Sequence, residues 1–406
     1  MTLFGLDIIH VVYKFIIVFN RLVIIPIKVF FIRKKNIVKV AFIISDLGKW
    51  KTECLYVAMA KNSRINPIIL VTPYKNFNND GLLVLIDYLK MNGYNFAVLG
   101  SEQKISDVIK PDIIFYQEPY KESIDSNKGF KNNVNSLFCY VNYAFHTIDE
   151  NWSINQPLLN FCWQIYYENS LAIQNVSKFM TNKGKNCIVT GLPITDSFLL
   201  PLSLYKTDTW EGNEKSKKRI IWAPHHTIQN ERWICYSTFL NYCDYMINLA
   251  EKYKEYIQIA FKPHPILLTK LYCIWGKEKT DDYYAKWANG ENTQLVLGDY
   301  VPLFMYSDAM IHDCGSFTVE YHYTKKPVMY LTKDEHHAEG LNDFGKMAFD
   351  LHYKGRCEED IEAFINDVIE GRDEMKVARE KFYNDYLLPP DGNSASDNII
   401  KAILGE

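Results

Sequence analysis

The sequence predicts an α/β protein built on two parallel sheets, each covered by helices on both faces. Three observations predict it. Short, nearly continuous apolar runs recur along the chain, as strands buried on both faces require. Segments of helical spacing separate them. The alternation pauses once, at "PLSLYKTDTWEGNEKSKK" (201–218), which is polar, contains Gly212 and lacks periodicity. Such a pause reads as a linker between domains. A chain of 406 residues is long enough for two sizeable cores.

The elements follow in order. "LFGLDIIHVVYKFIIVFNRLVIIPIKVFFIRKK" (3–35) is strongly apolar but interrupted by Asp7, Lys14, Asn20, Arg21 and Lys28. No run of about 18 uncharged apolar residues exists, so a clean membrane span fits poorly. A signal peptide fits poorly too, because no small-residue cleavage site follows. An amphipathic segment lying on a membrane surface, closed by Arg33, Lys34 and Lys35, fits better. The competing reading is a helix packed on the protein itself. Strands are then expected at 38–45, 66–73, 95–100, 112–117, 137–143 and 186–191, with helical stretches such as "LLVLIDYLKMNG" between them. The second series is expected at 219–224, 257–264, 294–299, 309–313 and 327–331. Phe239, Leu240, Cys243, Met246, Ile247 and Ala250 form the core stripe of a long helix in that half.

Composition removes several function classes. A net charge of −3 gives no basic field for nucleic acid. Nine cysteines without C-x-x-C pairs fit a reducing cytoplasm better than a disulfide framework or zinc site. The chain has no G-x-x-x-x-G-K-[ST], no G-x-G-x-x-G and no G-x-S-x-G. These absences argue against a P-loop ATPase, a nicotinamide dehydrogenase and an α/β-hydrolase. Adjacent strand residues point to opposite faces, so the His pairs at 225–226 and 336–337 suit a metal poorly. No metal or cofactor is expected.

Ligands of parallel sheets bind outside the carboxyl ends of strands. Four polar clusters meet that rule. "YVNYAFHTI" offers Tyr143 and His146; "WAPHHT" offers His225, His226 and Thr227; "FKPHP" offers Lys262 and His264; "HDCGSFTVE" offers Asp313, Gly315, Ser316, Thr318 and Glu320. A buried, hydrogen-bonded histidine after a strand is common, so each cluster alone is weak evidence. Together they suggest anion binding. Amide groups at a helix start attract phosphate, Gly315 permits close approach, and Ser316 and Thr318 add hydroxyl donors.

Three stretches carry a resemblance: "IIWAPHHT", "FKPHP" and "YSDAMIHDCGSFTVEYHYTKKPVMYL", spanning about residues 219–331. In order and spacing they resemble the CDP-glycerol glycerophosphotransferase family, the teichoic-acid- and capsule-type polyol-phosphate transferases. The first half resembles capsule and lipopolysaccharide members less specifically. The resemblance implies a GT-B fold, two Rossmann-like domains facing a central cleft. The expected partition is 1–36 as the membrane-association segment, 37–200 as acceptor domain, 217–385 as nucleotide-donor domain and 386–406 as a helix crossing back. It implies a transferase moving glycerol phosphate, or another polyol phosphate, from a CDP-activated donor to a hydroxyl of a cell-surface glycan or its lipid-linked precursor. The place of work would be the cytoplasmic face of the bacterial inner membrane. Implied donor-site residues are Pro224, His226, Thr227, Lys262, Asp313, Gly315, Ser316, Phe317, Thr318 and Glu320, with His264 on the pyrophosphate. The family's Trp-His-Gly-Thr-Pro motif is absent; "NYAFHT" lies in a similar place, making His146 the expected base, with Asp149, Glu150 and His225 as rivals. A glycosyltransferase using a CMP- or UDP-sugar and a non-catalytic glycan-assembly scaffold are the alternatives.

Overall fold

Among the described residues, two parallel sheets, of seven and six strands, organise the computed structural model. It describes every residue except 1, 4–5, 76–80, 121–122, 150, 206–208, 212–215, 230–236, 299 and 334–339, and only the backbone of 2–3, 6–8 and 151. Gly212, Glu150, His336 and His337 therefore lie outside the described residues. The chain divides into two units: Met1–Ser197 with Leu388–Glu406, and Phe198–Leu387.

The first unit holds β1 (Val38–Ile44), β2 (Ile65–Val71), β3 (Phe96–Val98), β4 (Ile113–Tyr116), β5 (Leu137–Val141), β6 (Gln164–Tyr167) and β7 (Cys187–Val189). Their order is β3-β2-β1-β4-β5-β6-β7, parallel throughout. Strand β6, "QIYY", is missing from the sequence-based expectation. It is four residues long and follows the apolar helix Pro157–Phe161 after only two residues. No glycine or proline separates the two, so the run has no visible boundary.

The second unit holds β8 (Lys218–Ala223), β9 (Ile257–Phe261), β10 (Thr293–Leu295), β11 (Ala309–His312), β12 (Val328–Leu331) and β13 (Tyr353–Gly355). The order, β10-β9-β8-β11-β12-β13, repeats that of the first six strands of the first unit. Each sheet reverses direction of growth at one place, between β1 and β4 and between β8 and β11. Those switch points leave a crevice at the carboxyl edge where ligands enter. Beneath the second crevice lies an aromatic floor. Trp222 stacks with Phe239 at 5.7 Å and Phe261 at 5.0 Å, and packs against Trp287 at 5.4 Å.

The N-terminal helix Ile9–Arg33 is continuous, with a π-helical segment at Asn20–Ile24. It is long and apolar enough to cross a membrane. The C-terminal segment belongs to the first unit. Asp196 accepts from the amides of Ala395 (2.7 Å) and Ser396 (3.0 Å), fixing the start of helix Ala395–Leu404. Gly191 serves this join: its φ is +80°, and a Cβ there would meet Pro389 at 3.0 Å and Ala395 at 3.1 Å.

Candidate active site

The second unit's crevice is built by three loops leaving adjacent strands. Residues 224–227 follow β8, 262–264 follow β9 and 313–318 follow β11. Asp313 laces them. Its carboxylate is 1% exposed and accepts from the His225 amide (2.5 Å), the Thr238 amide (2.6 Å) and the Thr238 hydroxyl (2.8 Å). Burial lifts its pKa to about 6, against those hydrogen bonds. Both oxygens hold protein donors, so Asp313 shapes the site and does not face a ligand. The His264 amide ties the second loop to the first by donating to the Pro224 carbonyl (3.0 Å).

His225, His226 and His264 gather here. The His226 ring centroid lies 4.3 Å from each of the other two, and His225 and His264 are 5.1 Å apart. In every ring Nδ1 is an acceptor. His225 Nδ1 accepts from the Thr227 amide (3.3 Å), His264 Nδ1 from the Ile266 amide (3.2 Å), and His226 Nδ1 from the Lys270 ammonium (2.8 Å). A neutral imidazole whose Nδ1 accepts carries its proton on Nε2. The rings are neutral. Burial, then neighbouring cations and histidines, hold His225 down to about 2 and His264 to about 3. The trio is therefore a set of N–H donors.

One nitrogen from each ring lies within 4.8 Å of the others, which is metal-ligating reach. The second shell points elsewhere. A metal-bound histidine donates its other N–H, whereas here the second nitrogen accepts. Lys262, only 7% exposed, and Lys270 add positive charge. This chemistry suits an anion.

His264 has a local reason to exist as well. It caps the helix Pro265–Trp275, with Pro265 in the first turn, where a missing amide costs nothing. The helix places its positive end at the crevice.

The 313–318 turn departs from its sequence reading. Gly315 and Ser316 are exposed, and a Cβ at Gly315 would meet open space. Thr318 is buried and its hydroxyl donates to the Cys314 carbonyl, 3.4 Å away. It is not a hydroxyl donor to a phosphate. Phe317 packs inward against Phe304 (5.0 Å) and Tyr300 (5.5 Å). The helix after the turn, Phe317–Glu320, is one turn long and passes into a 3₁₀ segment, Tyr321–Thr324. Glu320 is buried. A histidine chain lies beneath. His352 Nδ1 donates to the Ala348 carbonyl (2.9 Å), His312 Nε2 meets His352 Nε2 at 3.1 Å, and His312 Nδ1 accepts from the Cys314 amide (3.2 Å). Sequence reading missed His352, 40 residues further on.

In the first unit, His146 lies in the loop after β5, 7% exposed. Its Nε2 meets Asp149 Oδ1 at 3.0 Å. Burial lowers its pKa, opposed by Asp149. The His146 amide donates to Glu168 Oε1 (2.8 Å), the first residue after β6. Glu168 is 2% exposed, its other oxygen has no hydrogen-bond partner, and burial pushes its pKa to about 7. The missed strand hid Glu168 from sequence reading. Lys49, Gln117 and Glu118 lie at the β1/β4 switch point and were also missed. Lys49 pairs with Glu118 and sits 5.3 Å over the Tyr74 ring and 6.0 Å over that of Tyr143.

Residues 164–405 match the model of the family described as CDP-Glycerol:Poly(glycerophosphate) glycerophosphotransferase. That match covers more than half of the chain and all of its second unit. The chain belongs to this family. As a member it is a transferase that moves glycerol phosphate from CDP-glycerol. Comparison with curated proteins finds no match. Among solved structures, the wall teichoic acid polymerase TagF is similar, with a TM-score of 0.58 at 14% identity over 98% of both chains. A TagF structure soaked with CDPG gives the same values. The UDP-GlcNAc 2-epimerase of Neisseria meningitidis is similar too, with a TM-score of 0.58 at 15% identity over 91% of this chain and 100% of its own. At these identities the likeness shows the fold: two parallel α/β units of the GT-B class.

Proposed function

We propose that this glycerophosphotransferase adds glycerol phosphate to a hydroxyl of a cell-surface glycan, or of its lipid-linked precursor, of the teichoic-acid or capsule type, and that it works at the cytoplasmic face of the membrane. The observation that carries the donor half is the neutral histidine trio at the β8/β11 switch point, with every Nδ1 accepting. His225, His226 and His264 present N–H groups to the diphosphate. Lys262, the exposed turn at Gly315 and Ser316, and the start of helix Pro265–Trp275 complete the positive surface. Pro224, Thr227, Asp313, Phe317 and Thr318 hold these groups in place, and Glu320 lies on the same element for the nucleoside.

In the reaction the acceptor oxygen attacks the glycerol-bearing phosphorus. The bond from that phosphorus to the bridging oxygen breaks, and its electron pair leaves with CMP. A phosphodiester forms and the acceptor proton passes to a base. Donors fixed before reaction stabilise the charge that develops on CMP. His146 is the base proposed here. Asp149 on Nε2 orients the ring and leaves the lone pair on Nδ1. Its lowered pKa keeps it unprotonated at neutral pH.

The fold likeness to a UDP-GlcNAc 2-epimerase keeps a UDP-sugar donor as the second reading. Thermal shifts separate them. A ligand at about 100 times its Kd stabilises the folded state by about 2.7 kcal/mol. CDP-glycerol is expected to raise the midpoint more than CDP-ribitol, CMP-sugars or UDP-GlcNAc, and His264→Ala to abolish the rise. A larger shift with UDP-GlcNAc would sink the donor assignment.

A further inference from the structure

His312 ends β11, Tyr330 stands opposite it on β12, and His352 directly precedes β13. All three are buried beneath the exposed turn at Gly315 and Ser316. Their hydrogens follow from the acceptor at the far end. A carbonyl oxygen only accepts, so His352 Nδ1, 2.9 Å from that of Ala348, carries a hydrogen. Burial, then His322 and His312, hold the His352 pKa well below 6.5. The ring is neutral and its Nε2 holds a lone pair. The 3.1 Å contact between His352 Nε2 and His312 Nε2 then needs its hydrogen on His312. A second hydrogen on His312 would be a charge in a fully buried site, which is disfavoured. His312 Nδ1 therefore keeps a lone pair. That atom lies between two groups of Cys314, the amide at 3.2 Å and the carbonyl oxygen at 3.1 Å. A lone pair takes the amide, whereas a hydrogen would take the carbonyl. The amide belongs to the Asp313–Cys314 peptide, and Tyr330 donates to the other end of that unit, the Asp313 carbonyl (3.1 Å). Both polar atoms of one planar peptide are held by buried side chains. The Cys314 carbonyl is left to the Thr318 hydroxyl (3.4 Å).

We infer that His352 is a positioning residue for donor binding: it fixes the Nε2–H form of His312 and, through the Cys314 amide, the orientation of the Gly315–Ser316 turn. The Cys314 carbonyl shares a peptide plane with the Gly315 amide. In the other form of His312, an Nδ1–H would draw that carbonyl in, strand the Cys314 amide and rotate the plane that carries the Gly315 N–H. His352 touches no reacting group and acts only through His312. His322 ends the chain of hydrogen bonds and does not extend it. Its Nε2 donates to the same Ala348 carbonyl (2.9 Å), and its Nδ1 has no hydrogen-bond partner. The inference rests on the reading of the 313–318 turn as part of the donor site.

Two substitutions separate the hydrogen bond from the bulk of the ring. His352→Phe keeps a ring of similar size and accepts nothing. His352→Gln offers an oxygen that accepts where Nε2 did. The hydrogens are read by magnetic resonance on the full chain with isotopically labelled histidine nitrogens, because a nitrogen bearing a hydrogen and one holding a lone pair resonate far apart. The His312 signals are assigned by their loss in His312→Asn. Wild type and His352→Gln should carry the His312 hydrogen on Nε2, and His352→Phe should carry it on Nδ1. CDP-glycerol affinity, measured by calorimetry on the folded chain, should fall at least about tenfold in His352→Phe, the scale of one lost hydrogen bond to a charged group. In His352→Gln it should stay within about threefold of wild type. Tyr330→Phe removes one hydroxyl and releases the other end of the same peptide. It should weaken CDP-glycerol with the His312 hydrogen still on Nε2, and it carries the test should His352→Phe not fold. A His312 hydrogen on Nδ1 in wild type overturns the inference. So does an equal loss of affinity in His352→Phe and His352→Gln, which means that the ring only fills space. Wild-type affinity in folded His352→Phe or Tyr330→Phe, with binding abolished in His264→Ala, overturns the inference and leaves the donor assignment standing. Wild-type affinity in all three removes the donor assignment and this inference with it.

Discussion

At the residue scale, the two units use buried acids in opposite ways. Asp313 spends every hydrogen bond on protein donors. Asp313→Ala would strand buried amides of His225 and Thr238, at about 1–3 kcal/mol for each unsatisfied donor. Chemical denaturation should show that loss, and donor binding should fall with it. Glu168 instead lacks a partner on one oxygen. Its pKa rises from 4.5 to about 7 on folding, so the folded state holds a proton that the unfolded chain has released. Stability from this group is full below 4.5 and lost as pH rises through about 7. Glu168→Gln keeps an acceptor for the His146 amide and cannot titrate. Relative to wild type it should gain stability from pH 4.5 to about 7 and stay level above. Parallel pH profiles would mean that Glu168 holds no proton. The histidines work the other way. His225 and His264, held to about 2 and about 3 from 6.5, give stability that is full above 6.5 and lost as pH falls toward those values. At the catalytic level, His264→Ala and Ser316→Ala should each lower turnover by about 10²-fold, the scale of losing one charge-stabilising donor. His146→Ala should lower turnover while leaving CDP-glycerol affinity near wild type. Lost affinity with turnover kept at saturating donor would move His146 into the donor site.

At the element scale, strands were legible and their surroundings less so. Buried parallel strands are written as runs of β-branched and aromatic residues, and eleven of the thirteen were expected within a few residues of where they lie. The other two, Gln164–Tyr167 and Tyr353–Gly355, are short and merge with apolar or charged flanks. The motif loops were legible by position, because each follows an expected strand. Side-chain direction was not. Nothing in "CGSFTVE" distinguishes Ser316, which is exposed, from Thr318, whose hydroxyl turns to the Cys314 carbonyl. Partners distant in sequence were equally hidden: His352 supports the turn from 40 residues away, and Asp196 caps a helix about 200 residues on. Asp196→Ala should destabilise that helix start by about 0.5–2 kcal/mol. Hydrogen exchange should then quicken in 395–404 more than in β1, and equal change in both would argue against a local cap.

At the scale of the whole molecule, two sheets of the same strand order place their switch points at β1/β4 and β8/β11. The second carries the motifs proposed to bind the donor and lies within the family match. The first carries Lys49, Gln117 and Glu118, with His146 one strand further along. Sequence motifs announce the second unit because the phosphate binding proposed there needs fixed backbone geometry at a helix start. The first unit, proposed to take the acceptor, has no such constraint, and its polar residues are scattered over four loops. The central claim is transfer of glycerol phosphate from CDP-glycerol. The direct measurement incubates the full chain with CDP-glycerol and a lipid-linked glycan acceptor and follows CMP release and acceptor mass together. The account predicts one CMP released for each glycerol phosphate gained, with CMP-sugars and UDP-GlcNAc inert. Consumption of a CMP- or UDP-sugar while CDP-glycerol stays intact would contradict it.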